Sequence, residues 1–65
     1  MSKNKWSLDG IKKAIRIFLE EKGAESISIR VEDPSEDEMK RVVKLARLTG
    51  HRAEAREDGT VQVFA

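Results

Sequence analysis

Four places in this chain carry residue types that could do chemistry or bind a charged partner. His51 is the only histidine. As a general base it would need a nucleophile within about 3 Å and a third group to orient it. No such partner can be placed beside it, so it reads as the residue that enters a strand after a helix-ending glycine. A lone histidine also lacks the companions of a metal site. Glu36, Asp37 and Glu38 are consecutive carboxylates. Successive helical residues point about 100° apart, so three in a row diverge instead of converging on one ion. They read as charge placed at a helix start, where the macrodipole favours it.

The other two places could bind but not react. The stretch SLDGIKK, residues 7–13, opens a helix. First-turn amides can hold an anion, and Lys12 and Lys13 lie close by. No GxGxxG or GxxxxGK[ST] loop accompanies them. Arg30, Arg52, Arg56 and Phe64 fall on the outward positions of alternating segments. Arginine beside an aromatic ring can hold single-stranded nucleic acid by phosphate contact and stacking. Only one aromatic is present there and Glu54 interrupts the positive charge, so a solvated sheet face is the plainer reading and nucleic-acid binding is not expected. No catalytic, cofactor-binding or metal-binding residue is expected, and the chain does not read as an enzyme.

These residues are positioned by five elements. A first helix is expected from Leu8 to Lys22, capped by Ser7 and ended by Gly23. Leu8, Ile11, Ile15, Phe18 and Leu19 form its apolar face; Ile17 falls on the polar side. Glu25 to Glu32 alternates strictly, with Ile27, Ile29 and Val31 inward, and reads as a half-buried strand. Asp33-Pro34-Ser35-Glu36 reads as a cap, with Asp33 the capping residue, Pro34 at the first helical position and Glu36 reaching back. The second helix then runs to about Thr49, with Met39, Val42, Val43, Leu45 and Ala46 as its apolar arc, Leu48 off it, and Gly50 ending it. His51 to Glu57 forms a second strand with Ala53 and Ala55 inward. Asp58-Gly59 reads as a two-residue type I′ hairpin turn leading to a last strand, Thr60 to Ala65, with Val61 and Val63 inward.

Only one face of each strand is apolar. The expected architecture is therefore an α+β two-layer αβαββ sandwich, both helices on one face of a three-stranded mixed sheet. HRAEARE is charged and suits an edge; TVQVF is uncharged and suits the centre. The expected strand order is 1-3-2.

Composition bounds the rest. Sixty-five residues make one domain, with 1–6 expected as a flexible N-terminal segment. Trp6 is expected to staple against Ile11 or to stand as a spectroscopic handle. There is no cysteine, which excludes thiol chemistry and disulfides. No apolar run approaches the ~20 residues of a membrane helix, and MSKNKWS has no signal-peptide core. A soluble, cytoplasmic setting is expected, or none if the chain is artificial. The net charge of +1 hides blocks: residues 1–18 and the C-terminal part are basic, residues 19–38 acidic.

The helix ending at Gly23, the strand SISIRVEDP, the helix end Thr49-Gly50-His51 and the hairpin EDGTVQVF together resemble the TusA/SirA-like family of small sulfur-carrier proteins, over about residues 8 to 65. The resemblance implies a βαβαββ fold with an inserted central strand. The family holds sulfur on the cysteine of a Cys-Pro-x-Pro motif at the start of its first helix. Here that start reads SLDGIKK, with neither cysteine nor proline, so no functional residue carries over; the family's first strand has no counterpart in MSKNKW. Explicit caps, clean alternation and a two-residue turn also resemble idealised designed proteins. The leading expectation is a designed or engineered stable domain without biochemical activity. The alternative is a small interaction module, either a homodimer through the strand 25–32 edge or a weak nucleic-acid binder. A cysteine-less TusA-like relative comes third.

Overall fold

The computed structural model describes residues 6–65. The order is helix α1 (Leu8–Ile15), a π-helical segment (Arg16–Glu21), strand β1 (Ser26–Arg30), helix α2 (Glu36–Leu48), strand β2 (Ala53–Ala55) and strand β3 (Thr60–Phe64). The fold is α+β. The sheet order is β1-β3-β2, as the polarity of the strands implies. Both pairings are antiparallel, so the sheet is antiparallel and not mixed. β1 and β2 do run parallel to each other, but β3 lies between them and no parallel ladder forms.

Ser7 caps α1 as expected, accepting a hydrogen bond from the Gly10 amide at 3.1 Å. The first helix is not α-helical throughout. From Arg16 it widens, with the Lys22 amide donating to the Ile17 carbonyl five residues back. Its buried residues are Ile11, Ile15 and Leu19, each four apart. Four residues overshoot an α-helical turn by about 40°, so such a row drifts off the core. The wider turn brings Leu19 back over it. The same widening corrects two expectations. Phe18 is turned out, 43 % exposed, with the Lys22 ammonium 5.2 Å from its ring centre. Ile17 becomes half-buried. Gly23 ends the segment with φ +72°.

The start of α2 also differs. Ser35, not Asp33, is the cap: its hydroxyl accepts from the Glu38 amide at 3.2 Å. Pro34 therefore precedes the cap and does not open the helix. Its ring lies against Gly59 instead. Glu36 pairs forward with Lys40 at 3.7 Å and does not reach back. The hairpin turn is of another type as well. Asp58 has negative φ and only Gly59 is positive, at +86°. The Gly59 amide points to the Arg56 carbonyl, and the Arg56 amide donates to Thr60 across a three-residue loop. This is a type I turn closed by a left-handed glycine. A single carboxylate locks it: Asp58 Oδ1 accepts from the Thr60 amide at 3.1 Å and the Thr60 hydroxyl at 2.6 Å.

The core gathers Ile11, Ile15 and Leu19 with Met39, Val42 and Ala46 of α2, and with Ile29, Val31, Ala53, Val61 and Val63. Two rows cross the sheet on the core side. One runs Ile27–Val63–Ala53, the other Ile29–Val61–Ala55. Ala53 is fully buried but Ala55 is exposed, contrary to the expectation that both face the core.

Trp6 is fastened at three elements. Its indole N–H donates to the Arg30 carbonyl at 2.9 Å, its own carbonyl accepts from Arg41 Nη2 at 2.7 Å, and its ring lies over Gly10. It packs against the core, a larger role than a staple on Ile11. The rest of the expected N-terminal segment lies outside the described residues. Among the described residues no helix is long and apolar enough to cross a membrane.

Candidate binding groove

The exposure of Ala55 marks a concavity at the surface. It lies between α2 and β2 and encloses about 820 Å³. Its position follows from helical spacing. Val42 and Ala46 point into the core, so the flank of α2 some 100° away carries Glu36, Lys40, Val43, Lys44 and Arg47, residues three and four apart. Met39 and Val43 with Ala53 and Ala55 make an apolar floor; Leu48, 64 % exposed, closes one end.

Cations dominate the rim. On the α2 side Lys40, Lys44 and Arg47 stand with one carboxylate, Glu36, while Glu54 and Arg56 border the groove from the outward face of β2. Both carboxylates are engaged, Glu36 by Lys40 at 3.7 Å and Glu54 by Arg56 at 4.0 Å. Lys44 makes no ion pair among the described residues. Arg47 reaches the Ala53 carbonyl at 3.3 Å.

The groove also borders unpaired backbone. Arg56 donates to the Thr60 carbonyl and Arg52 accepts from the Phe64 amide, so residues 52, 54 and 56 turn their backbone groups toward β3. Ala53 and Ala55 must turn theirs outward. Arg47 occupies the Ala53 carbonyl; among the described residues both groups of Ala55 and the Ala53 amide have no partner. On the opposite edge Ser26, Ser28 and Arg30 face outward in the same way, and Trp6 occupies the Arg30 carbonyl.

The residues singled out for charge divide into two groups. Arg30, Arg52, Arg56 and Phe64 share the outer sheet face. There the Arg52 guanidinium lies 5.1 Å from the Phe64 ring centre, and Arg56 bonds Gln62 Oε1. The arginine occupies the ring face that a base would need. Lys12 and Lys13 stand apart on α1. Lys12 borders a smaller cavity of about 420 Å³ with Arg16, Glu20, Thr49 and His51. His51 Nδ1 donates to the Phe64 carbonyl at 3.0 Å, which holds the ring in the joint between α2 and β3. The Thr49 hydroxyl beside it is spent on the Ala46 carbonyl.

The three carboxylates at the start of α2 separate. Glu38 holds Arg41 through two hydrogen bonds, at 3.1 and 2.7 Å, while Glu36 turns to Lys40. The hydrogen bond to Glu38 pushes the Arg41 guanidinium above its already high ordinary value, so it stays charged. The described residues contain no cluster of three or more metal-ligating side chains.

The sequence pattern pointed to the outer face and to the helix starts, and missed the groove. One visible trace was Leu48, an apolar residue off the core arc of α2. The unusually small inward side chains of β2 were a second trace. No protein family, curated protein or solved structure matches the chain.

Proposed function

We propose that the chain is a non-catalytic interaction module whose ligand is an apolar segment of a partner, taken up between α2 and β2. The observation that carries this reading is the uncovered Ala55 beneath an apolar, cation-rimmed flank of α2. In this reading both helices lie on one face of the sheet as a layer, and α2 overhangs an edge that is one strand short. Natural ligand sites combine an apolar floor with few polar groups in this way. The β1 edge and the outer face are the weaker surfaces, since Trp6 caps one and Arg52 covers the aromatic ring of the other. Selection of binders from a random peptide library tests it. Binders should perturb the methyl resonances of Val43 and Leu48. Binders that map to the outer face, to Lys12 and Lys13 or to the β1 edge would sink it.

A second reading is an idealised scaffold without any ligand. Both helices carry serine caps, and no buried side-chain polar atom among the described residues lacks a partner. It predicts a selection without binders and a guanidinium midpoint above about 5 M.

A further inference from the structure

We infer that the partner segment adds to β2 as a fourth strand and alternates apolar with acidic residues. The inference rests on the groove reading above and specifies its ligand.

Backbone geometry sets the mode. The free edge of β2 offers the Ala55 amide and carbonyl and the Ala53 amide, spaced as one rung of a ladder. An extended chain laid there satisfies them. Its side chains then alternate between the two sides of the sheet. Those on the α2 side enter the groove under Val43 and Leu48, where about 820 Å³ has room for several side chains. The row Ile29–Val61–Ala55 would gain the apolar neighbour that its exposed end lacks.

Charge sets the composition. On the other side of the sheet an added strand meets Arg52 and Arg56, with Glu54 between them already paired to Arg56. On the α2 side the rim presents Lys40, Lys44 and Arg47, of which Lys44 has no carboxylate partner among the described residues. Acidic residues are favoured on the side facing Arg52 and Arg56, and at the ends of the segment, where they can reach the Lys40, Lys44 and Arg47 rim; apolar residues fill the groove between. A second copy of this chain fits poorly. Its β2 has only alanines to place in the groove, and a symmetric pair would bring two cationic rims together. The basic residues Lys3 and Lys5 disfavour the chain's own N-terminal segment for the same reason.

Arg47 acts as the latch of this edge. Its bond to the Ala53 carbonyl covers one of the groups a new strand needs. An acidic partner can draw the guanidinium off and expose the full rung.

The test uses the full chain and three end-blocked hexapeptides. One alternates valine and glutamate; one alternates valine and lysine; the third is the glutamate peptide N-methylated at alternate amides. Val43 and Leu48 methyl shifts report groove occupancy, and hydrogen exchange of the Ala55 amide reports strand pairing. The expected result is binding by the glutamate peptide with slowed Ala55 exchange. N-methylation should weaken it about tenfold or more, one or two backbone hydrogen bonds being lost. The lysine peptide should not bind. Ala55→Pro should abolish binding without unfolding the chain, because that amide makes no bond to β3. If all three peptides shift the methyls alike and Ala55 exchange is unchanged, the groove reading stands and strand addition fails. If the lysine peptide binds as well as the glutamate one, the acidic assignment fails. If no peptide moves the methyls at millimolar concentration, this inference is overturned; the library selection then decides whether the groove takes any ligand.

Discussion

Gly59 carries more of the β2–β3 hairpin than its size suggests. It sits at φ +86° and is buried beneath Pro34, and its carbonyl accepts from the Val31 amide at 2.9 Å. A Cβ there would meet the proline ring at 3.4 Å, on a backbone that side chains rarely adopt. Gly59→Ala should therefore destabilise the chain by about 1–2 kcal/mol. A urea midpoint equal to wild type would refute this account of the turn. Beside it, the hydrogen bonds from the Thr60 hydroxyl and amide hold the Asp58 carboxyl below its ordinary value. A depressed acid stabilises the fold above the ordinary carboxylate value and loses that contribution as pH falls through the lowered one. Asp58→Asn should thus narrow the drop in stability in acid, the two proteins differing most near neutrality and converging at low pH. Urea midpoints across that range check it; parallel curves would mean that the charge contributes nothing to stability.

At the scale of elements, the π-helical segment reverses the expected roles of two neighbours. Leu19 is 6 % exposed and Phe18 43 %. Leu19→Ala should cost about 3 kcal/mol through lost burial and a residual cavity. Phe18→Ala should cost less than about 1 kcal/mol, most of it the contact with Lys22. Equal losses in thermal unfolding would show that the segment is α-helical with Phe18 inward. The choice between these forms was hidden in the sequence because apolar residues at 11, 15, 18 and 19 suit an α-helix as well. What decides is where the sheet lies beneath them. The cap of α2 was ambiguous in a related way. Asp33 and Ser35 are both good caps, and a proline suits the first helical position after Asp33; the structure uses Ser35 and leaves Pro34 against Gly59 of the hairpin.

For the whole molecule, Trp6 ties the entry to α1, the end of β1 and the middle of α2. Its fluorescence should therefore lose its native value in the same guanidinium transition as the circular dichroism of the helices. A fluorescence change at lower denaturant would mean that this corner opens separately. Arg41→Lys should produce that separation, since lysine cannot hold Glu38 through two bonds and reach the Trp6 carbonyl as well. The same midpoint measured over a wide range of protein concentration reads association: a constant midpoint means a monomer, and one that rises means that copies pair.

The sequence by itself determined the five-element order, the serine cap of α1, the glycines that end both helices, and the central place of TVQVF in the sheet. Each of these depends on neighbours a few residues apart or on the polarity of one segment. Tertiary structure alone decided the widened turn of the first helix, the burial of Ala53 against the exposure of Ala55, and the anchoring of Trp6 by Arg30 and Arg41. It also made the groove. Alternation assigns a side chain to one face of a sheet, but whether a helix covers that face depends on where α2 crosses it. The packing of Val42 and Ala46 in the core places α2 so that Ala53 is buried and Ala55 is left exposed beside its flank.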